Sequence, residues 1–543
     1  MNAVICAVCL IVSVYGRVAV VEEKLSDISE NLIIDDKLLE IESTTDQPKV
    51  LAKNDKTDLC LDVNSINNTI NETTAEQLAC LYKLLNSTVI NLNETKTDNG
   101  VALILTPLIE AGNIEEARNA SKVDPEQFLG LESYSGFFTV NKTYNSNLFF
   151  WYFPVENKPV NETPWVIWLQ GGPGASSLTG LFDEIGPLTV ENGRIARNRY
   201  SWLQNHSLVF IDNPVGTGFS FTDHPDGFTQ DSTTYGHHLY TAFKQFILVF
   251  PELKSAPLFV AGESYAGKYV PALAAEIHTH MDETDGKVKM EGMMIGNAYV
   301  EPSMISQLAK PFYHFGLLVK EQLDIVKPLV DAFHEDIAAN RSIEAKEKFT
   351  GLITILLFLT HQKQGYNFLK DDISAGHYSS YLEQSVVRKA LHVGDIGFSF
   401  VNMTVNSRLA PDFLSNARPK FEMLLDHYRV LTYCGQLDQM LPCAYTSESY
   451  RQWKWKHSQE FLDATRYPYI YNKKLAGYHK TGGGLTEVLI RGAGHMAPMD
   501  KPGATQELVS RWTHQQPLSS GFGVLEGSFV QEFIKNYTNS IYL

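Results

Sequence analysis

LFVAGESYAG, residues Leu258–Gly267, opens with a run of strand formers, Leu258-Phe259-Val260, and closes on Gly262-Glu263-Ser264-Tyr265-Ala266-Gly267. Lys268–His278, KYVPALAAEIH, follows with helix-like apolar spacing. A serine on such a sharp strand-to-helix turn has its hydroxyl pushed into the open above a sheet. Its neighbours must be small, because bulky side chains would clash at the bend. The usual spacing is G-x-S-x-G; here its second glycine is replaced by Ala266, with Gly267 one residue later. Short Gly/Ser patterns also arise by chance, so the rest of the chain decides whether Ser264 is a nucleophile.

On either side, strand signals recur. Ser135–Val140 and Asn147–Phe153 read as a pair around the turn-rich Asn141–Ser146. Apolar strand candidates follow at Trp165–Leu169, Ser207–Ile211, Leu258–Ala261, Met290–Ile295, Arg429–Tyr433 and Glu487–Ile490, with helical stretches such as Thr234–Val249 between several of them. Alternation of this kind predicts an α/β fold, a sheet covered by helices. Between Glu301 and Pro411 helical spacing takes over. A helical insertion there would cap the C-terminal edge of the sheet, where open α/β sheets place ligands. Within it, Leu352–Thr360, LITILLFLT, reads as a buried helix and is too short to span a bilayer.

Two later runs complete a constellation. Arg429–Asp438, RVLTYCGQLD, and Glu487–His495, EVLIRGAGH, place an acid and an imidazole just past strand ends, in the chain order Ser264…Asp438…His495. That order is the one expected of an α/β-hydrolase fold. A serine hydroxyl is a poor nucleophile at neutral pH; it needs an imidazole to take its proton and a buried carboxylate to orient that imidazole. The ordinary alternatives are a helix-capping Asp438 and a satisfied loop histidine at 495. Trp168–Ser177, WLQGGPGASS, adds a Gly-rich turn after an early strand, and the amides of Gly172 and Tyr265 are the candidates to receive an oxyanion. Other histidines, including His237, His238, His278 and His280, read as surface residues.

Composition narrows the class. The chain has 543 residues, 44% of them hydrophobic, enough for a large core with extensions. Its net charge is −17, from 45 basic and 62 acidic residues without a basic stripe, which argues against a nucleic-acid partner. Ala3–Tyr15 is an uncharged apolar run placed as a secretory signal would be, and no later stretch is long enough for a membrane span. Secretory entry gives meaning to the sequons at Asn67, Asn71, Asn86, Asn93, Asn119, Asn141, Asn161, Asn205, Asn340, Asn402 and Asn536. Beyond the signal remain Cys60, Cys80, Cys434 and Cys443, most simply bridged 60–80 and 434–443, with the other pairings open. The expected organisation is a signal peptide over 1–16, an acidic glycosylated leader or propeptide over 17–124, a hydrolase core over 125–300 and 412–516, the helical cap over 301–411 and a tail over 517–543.

The motifs WLQGGPGASS, DNPVGTGFSF, GESYAGKYVP, GQLD and GAGHMAP, in that order, resemble the serine carboxypeptidase family. LTPLIEAG followed by SGFFTVNKTYNSNLFFWYFP resembles its vitellogenic carboxypeptidase-like branch, and the likeness runs from about Leu105 to Trp512. The resemblance implies Ser264 as nucleophile, Asp438 as carboxylate, His495 as base, and Gly172 and Tyr265 as oxyanion donors. It places Gln170, Gly171, Glu184 and Glu263 around the substrate's terminal carboxylate. For that, one of the two glutamates must keep a proton, and acidic pH should favour binding. It further implies side-chain pockets lined by Thr179, Asp183 and Met496 and by Tyr265 and Met440, with Asp183 favouring basic leaving residues. Many members have Asn at the Gln170 position and Cys at the Ala175 position, and no cysteine lies between Cys80 and Cys434 here, so the family's usual loop-to-cap disulfide cannot form. The expected protein is a secreted or lysosomal serine-type carboxypeptidase acting on peptide or protein C-termini without metal or organic cofactor, with a homodimer kept open. The rival expectations are an acyltransferase on the same scaffold and a non-catalytic yolk or lysosomal stabilising protein.

Overall fold

The central strands carry few polar residues because both of their faces are covered. The computed structural model describes residues 98–518 apart from 282–287 and 374. Its strands are β1 (Tyr134–Asn141), β2 (Ser146–Phe153), β3 (Trp165–Leu169), β4 (Leu188–Glu191), β5 (Arg194–Arg197) and β6 (Ser207–Ile211). They continue with β7 (Leu258–Glu263), β8 (Met290–Gly296), β9 (Arg429–Gly435), β10 (Arg466–Tyr471), β11 (Lys474–Gly482) and β12 (Leu485–Ile490). Ten form one sheet in the order β1-β2-β6-β3-β7-β8-β9-β12-β11-β10, while β4 and β5 pair as a separate hairpin. The stretch from β6 to β12 is parallel, and antiparallel pairs flank it on both sides.

Successive residues of each central strand enter different cores. Trp165, Ile167 and Leu169 of β3 pack on one face and Val166 and Trp168 on the other; Leu258 and Val260 of β7 oppose Phe259 and Ala261. Burial on both sides produces the near-continuous apolar runs seen in the sequence. The edge hairpin β10–β11 lacks them: it contains Arg466, Lys473, Lys474, His479 and Lys480 and is only partly buried, so apolar patterning does not reveal it. The β4–β5 turn was legible in principle, since Asn192 and Gly193 both adopt positive φ, the backbone a tight hairpin asks for.

Helix Ser232–Val249 packs on helix Ala266–Thr279 and on β1. Asp231 caps its first turn, its Oδ1 accepting from the amides of Thr233 and Thr234. The helical insertion lies between β8 and β9 and includes Ala309–His314, Lys320–Ala338 and Ser342–Leu359. The apolar run expected as a buried helix is buried on one stripe only. Leu352 and Leu356 face the core, whereas Ile355 is exposed and Phe358 is 77% exposed. A helix on the outer layer covers one side, and a four-residue spacing selects which. His238 also departs from the surface expectation: it is buried in Ser232–Val249, and burial pushes its imidazole down to about 4.

Residues 103–123, read from the sequence as the end of the leader, pack against the sheet. Leu105 N donates to Phe137 O at 2.9 Å, Phe137 N donates to Leu103 O at 2.9 Å, and Leu105, Ile109 and Ala117 join the core. A disulfide joins Cys434 to Cys443; Cys60 and Cys80 lie outside the described residues. Among the sequons, Asn119, Asn161 and Asn340 are exposed and Asn141, Asn205 and Asn402 are part-buried, while Asn67, Asn71, Asn86, Asn93 and Asn536 lie outside the described residues. No helix among the described residues is long and apolar enough to cross a membrane. The packing of 103–123 predicts that Leu105→Ala, which empties a fully buried site, lowers the unfolding free energy in urea by about 2–5 kcal/mol.

Candidate active site

Five parallel strands end at one edge, and the residues just past their ends form the site. Gln170 follows β3, Ser264 follows β7 and Asn297 follows β8; Asp438 and His495 lie in the loops after β9 and β12. Ser264 has φ 62°, a left-handed backbone that a non-glycine residue adopts at a cost of about 1–3 kcal/mol when the surroundings enforce it. Here its amide donates to Gly296 O at 3.0 Å, and its carbonyl accepts from Gly267 N and from Tyr299 N at 2.9 Å. Gly267 takes the place of the displaced motif glycine for a packing reason: a Cβ there would lie 2.5 Å from Tyr299 O.

Three contacts run from this turn to the imidazole. Ser264 N binds Gly296 O; the next residue, Asn297, donates from Nδ2 to Asp438 Oδ2 at 2.7 Å; that same oxygen accepts from His495 Nδ1 at 2.7 Å. Asp438 Oδ1 accepts from the amides of Met440 and Leu441 at 2.8 and 3.1 Å. Asp438 and His495 are almost fully buried, and Ser264 is part-exposed. Among the described residues Ser264 Oγ forms no hydrogen bond with His495, and His495 Nε2 has no partner. Catalytic hydrogen bonds are often long in unliganded sites and tighten with substrate.

The Gly-rich turn lies directly on Ser264. A Cβ on Gly171 would be 2.5 Å from Tyr265 N and 2.8 Å from Ser264 Cβ, so only glycine permits the approach. Among the described residues, the amides of Gly172 and Tyr265 donate to no protein acceptor.

Beside them Gln170 anchors two acids. Trp168 Nε1 donates to Gln170 Oε1 at 2.8 Å, which turns Nε2 toward the carboxyls. That nitrogen donates to Glu184 Oε1 at 3.3 Å and to Glu263 Oε1 at 3.2 Å. Both glutamates are buried, they meet at the Gln170 amide, and among the described residues their Oε2 atoms have no hydrogen-bond partner. As two carboxylates they would have no donor between them; one retained proton supplies it. Burial pushes Glu184 up to about 7, and burial together with the Glu184 charge pushes Glu263 well above the carboxylate range.

The remaining expected residues are Thr179, Asp183, Met440 and Met496. Thr179 and Asp183 belong to the same turn as Glu184: Thr179 Oγ1 shares a 2.9 Å hydrogen bond with Tyr378 OH, and Asp183 Oδ2 accepts from Gly376 N at 2.9 Å. Burial pushes Asp183 up to about 6. Met496 follows His495, and Met440 follows Asp438 by two residues, next to Gly365. Sequence reasoning missed Asn297, Tyr366, Tyr378 and Asp500. His495 N donates to Tyr366 O at 2.6 Å, the two rings meet edge to face at 5.0 Å, and Asp500 Oδ2 accepts from Gly494 N and Asn367 Nδ2, both at 2.7 Å. Asn297 was detectable as a polar residue closing the strand MEGMMIG; the tyrosines lie in the insertion, where no local pattern marks them.

The raised pair gives a stability prediction. Carboxyls whose folded pKa exceeds the unfolded value stabilise the fold fully below the unfolded pKa, and that contribution is lost as pH rises through the folded pKa. Wild type should therefore lose denaturant resistance between pH 5 and pH 8, and Glu263→Gln should lose less over the same interval.

The described architecture is similar to the solved structure of the Saccharomyces cerevisiae prohormone-processing carboxypeptidase Kex1(Δ)p, with TM-score 0.65 and 22% identity over 73% of this chain and 96% of that one. In sequence, the vitellogenic carboxypeptidase of Aedes aegypti is 39% identical over 436 residues, covering 78% of this chain and 92% of its own. The venom serine carboxypeptidase of Apis mellifera is 38% identical over 431 residues, covering 77% and 92%. The family model described as serine carboxypeptidase matches residues 124–515, and the chain belongs to that family, with its α/β-hydrolase fold.

Proposed function

We propose that Ser264, Asp438 and His495 carry out the family's reaction, release of the C-terminal residue from a peptide or protein through an acyl-enzyme. The observation that carries this reading is the shared Asp438 Oδ2, which ties the nucleophile turn, through Asn297, to the imidazole. Ser264 Oγ attacks the last peptide carbonyl while His495 Nε2 takes its proton, and Asp438 holds the tautomer that leaves Nε2 free. The tetrahedral oxyanion accepts from Gly172 N and Tyr265 N. His495 returns the proton to the departing amine, and water, activated the same way, frees the acyl group and Ser264.

Exopeptidase specificity follows from the terminal carboxylate, which an internal bond lacks. Gln170 Nε2, the Gly171 amide and the proton shared by Glu184 and Glu263 supply its donors. A fully ionised pair would repel it, so binding is an acid-side property. The apolar run at Ala3–Tyr15 supports passage through the secretory pathway to a secreted or lysosomal location.

A fluorophosphonate should label wild type and not Ser264→Ala, and the variant should lose peptidase activity by about 10^4–10^6-fold. Labelling that persists in the variant would reject Ser264 as nucleophile. Wild-type kcat/KM on an N-acyl dipeptide should fall as pH rises past about 7, where Glu184 gives up its proton. Glu263→Gln, whose amide donates at any pH, should flatten that fall; an unchanged profile would reject the carboxyl pair as the substrate's anchor.

A further inference from the structure

We propose that the Cys434–Cys443 disulfide is a positioning element for the reaction: it closes the turn that aims Asp438 at His495, and opening it slows chemistry without weakening substrate binding. The inference rests on the triad reading above and adds a covalent clasp to it. Cys434 is the penultimate residue of β9 and Cys443 the first of helix Cys443–Tyr450; they stand nine residues apart with Asp438 between them.

The two halves of this loop are held differently. On the β9 side, Gly435 N donates to Asn297 Oδ1, Gln436 N to Ile490 O and Leu437 N to Ala493 O, all ties to neighbouring strand ends. Gln439 N donates to Gly365 O in the insertion. Beyond it the pattern changes. Met440 N and Leu441 N donate to the Asp438 carboxylate itself, and among the described residues 440–442 form no backbone hydrogen bond to another segment. Leu441 packs in the core, the helix that follows is held by Ser449 Oγ on Glu301 and by Tyr450 in the core, and the cross-link at Cys443 is the one covalent tie between the two halves among the described residues. The clasp is the covalent tie nearest to the two amides that orient Oδ1, and through them it bears on the aim of Oδ2 at His495.

Cys443 is part-exposed and Cys434 is buried, so an external thiol meets Cys443 first. A thiolate attacks Cys443 Sγ, forming a mixed disulfide and releasing Cys434 as a thiolate that takes up a proton. A second thiol attacks the reagent's sulfur, freeing the Cys443 thiol and leaving the reagent as its disulfide.

The test uses full-length protein carrying Cys6→Ser, Cys9→Ser, Cys60→Ser and Cys80→Ser, so that Cys434–Cys443 is the one pair left to respond to dithiothreitol under native conditions. Alkylation and mass spectrometry count the opened thiols. The expected result is a fall of about tenfold or more in both kcat and the rate of fluorophosphonate labelling, with KM within about twofold, restored on reoxidation. A Cys434→Ser/Cys443→Ser variant should match the reduced enzyme and ignore the reagent; should it not fold, the reduction and reoxidation series stands alone. Full reduction with unchanged kcat and labelling overturns the proposal, as does a lowered Tm alone or a rise in KM at constant kcat. An oxidised protein that is never labelled overturns the triad reading and the clasp with it, which separates the two failures.

Discussion

The site depends on the register of five parallel strands. Leu169 of β3 lies opposite Gly262 of β7, Glu263 opposite Gly296 of β8, Gly296 opposite Tyr433 of β9, and Gly435 opposite Ile490 of β12. Parallel hydrogen bonding fixes these pairs, and the strands consequently finish at one edge. A one-residue slip of any strand would exchange its two buried faces, so the apolar cores on both sides lock the register. Groups from far-apart stretches of chain then meet because each needs only a short loop past its own strand. The strained φ of Ser264 is held by the same frame, through the carbonyl of Gly296 and the amide of Tyr299.

A second constraint is electrostatic. Burying Glu184 beside Glu263 is unfavourable for the ionised forms, and the fold tolerates it by keeping a proton on the pair and giving Gln170 a fixed orientation through Trp168. Structural economy alone would place apolar side chains here, since a buried acidic pair is a poor way to hold a sheet together.

The insertion between β8 and β9 completes the site without contributing to the sheet's main frame. Tyr366 supplies the carbonyl that receives the His495 amide and an aromatic edge against its ring; Gly376 and Tyr378 engage Asp183 and Thr179. The cysteine absent at the Ala175 position is not replaced by another covalent tie between that loop and the insertion among the described residues. There Ala175 instead bridges Val401, and Asn406 Nδ2 donates to Pro173 O at 3.1 Å.

How much was legible follows from where each residue's partners lie in the chain. Trp165–Leu169, Ser207–Ile211 and the LFVAGESYAG turn declared themselves locally, because two-sided burial writes an apolar run and a tight bend demands small residues beside Ser264. The order Ser264, Asp438, His495 was likewise readable, each lying past a strand signal. The hairpin β10–β11 was hidden by its half-solvated faces, and the packing of 103–123 by the acidic, glycosylation-rich sequence before it. The pairing of Glu184 with Glu263 was implied by the family resemblance and by no local pattern, and only tertiary structure decided that Asn297 would hold Asp438 and that Tyr366 would reach His495. Those contacts join segments tens to more than a hundred residues apart, and no local period or propensity encodes them. They exist because strand register and loop closure set the distances, and those are properties of the assembled chain.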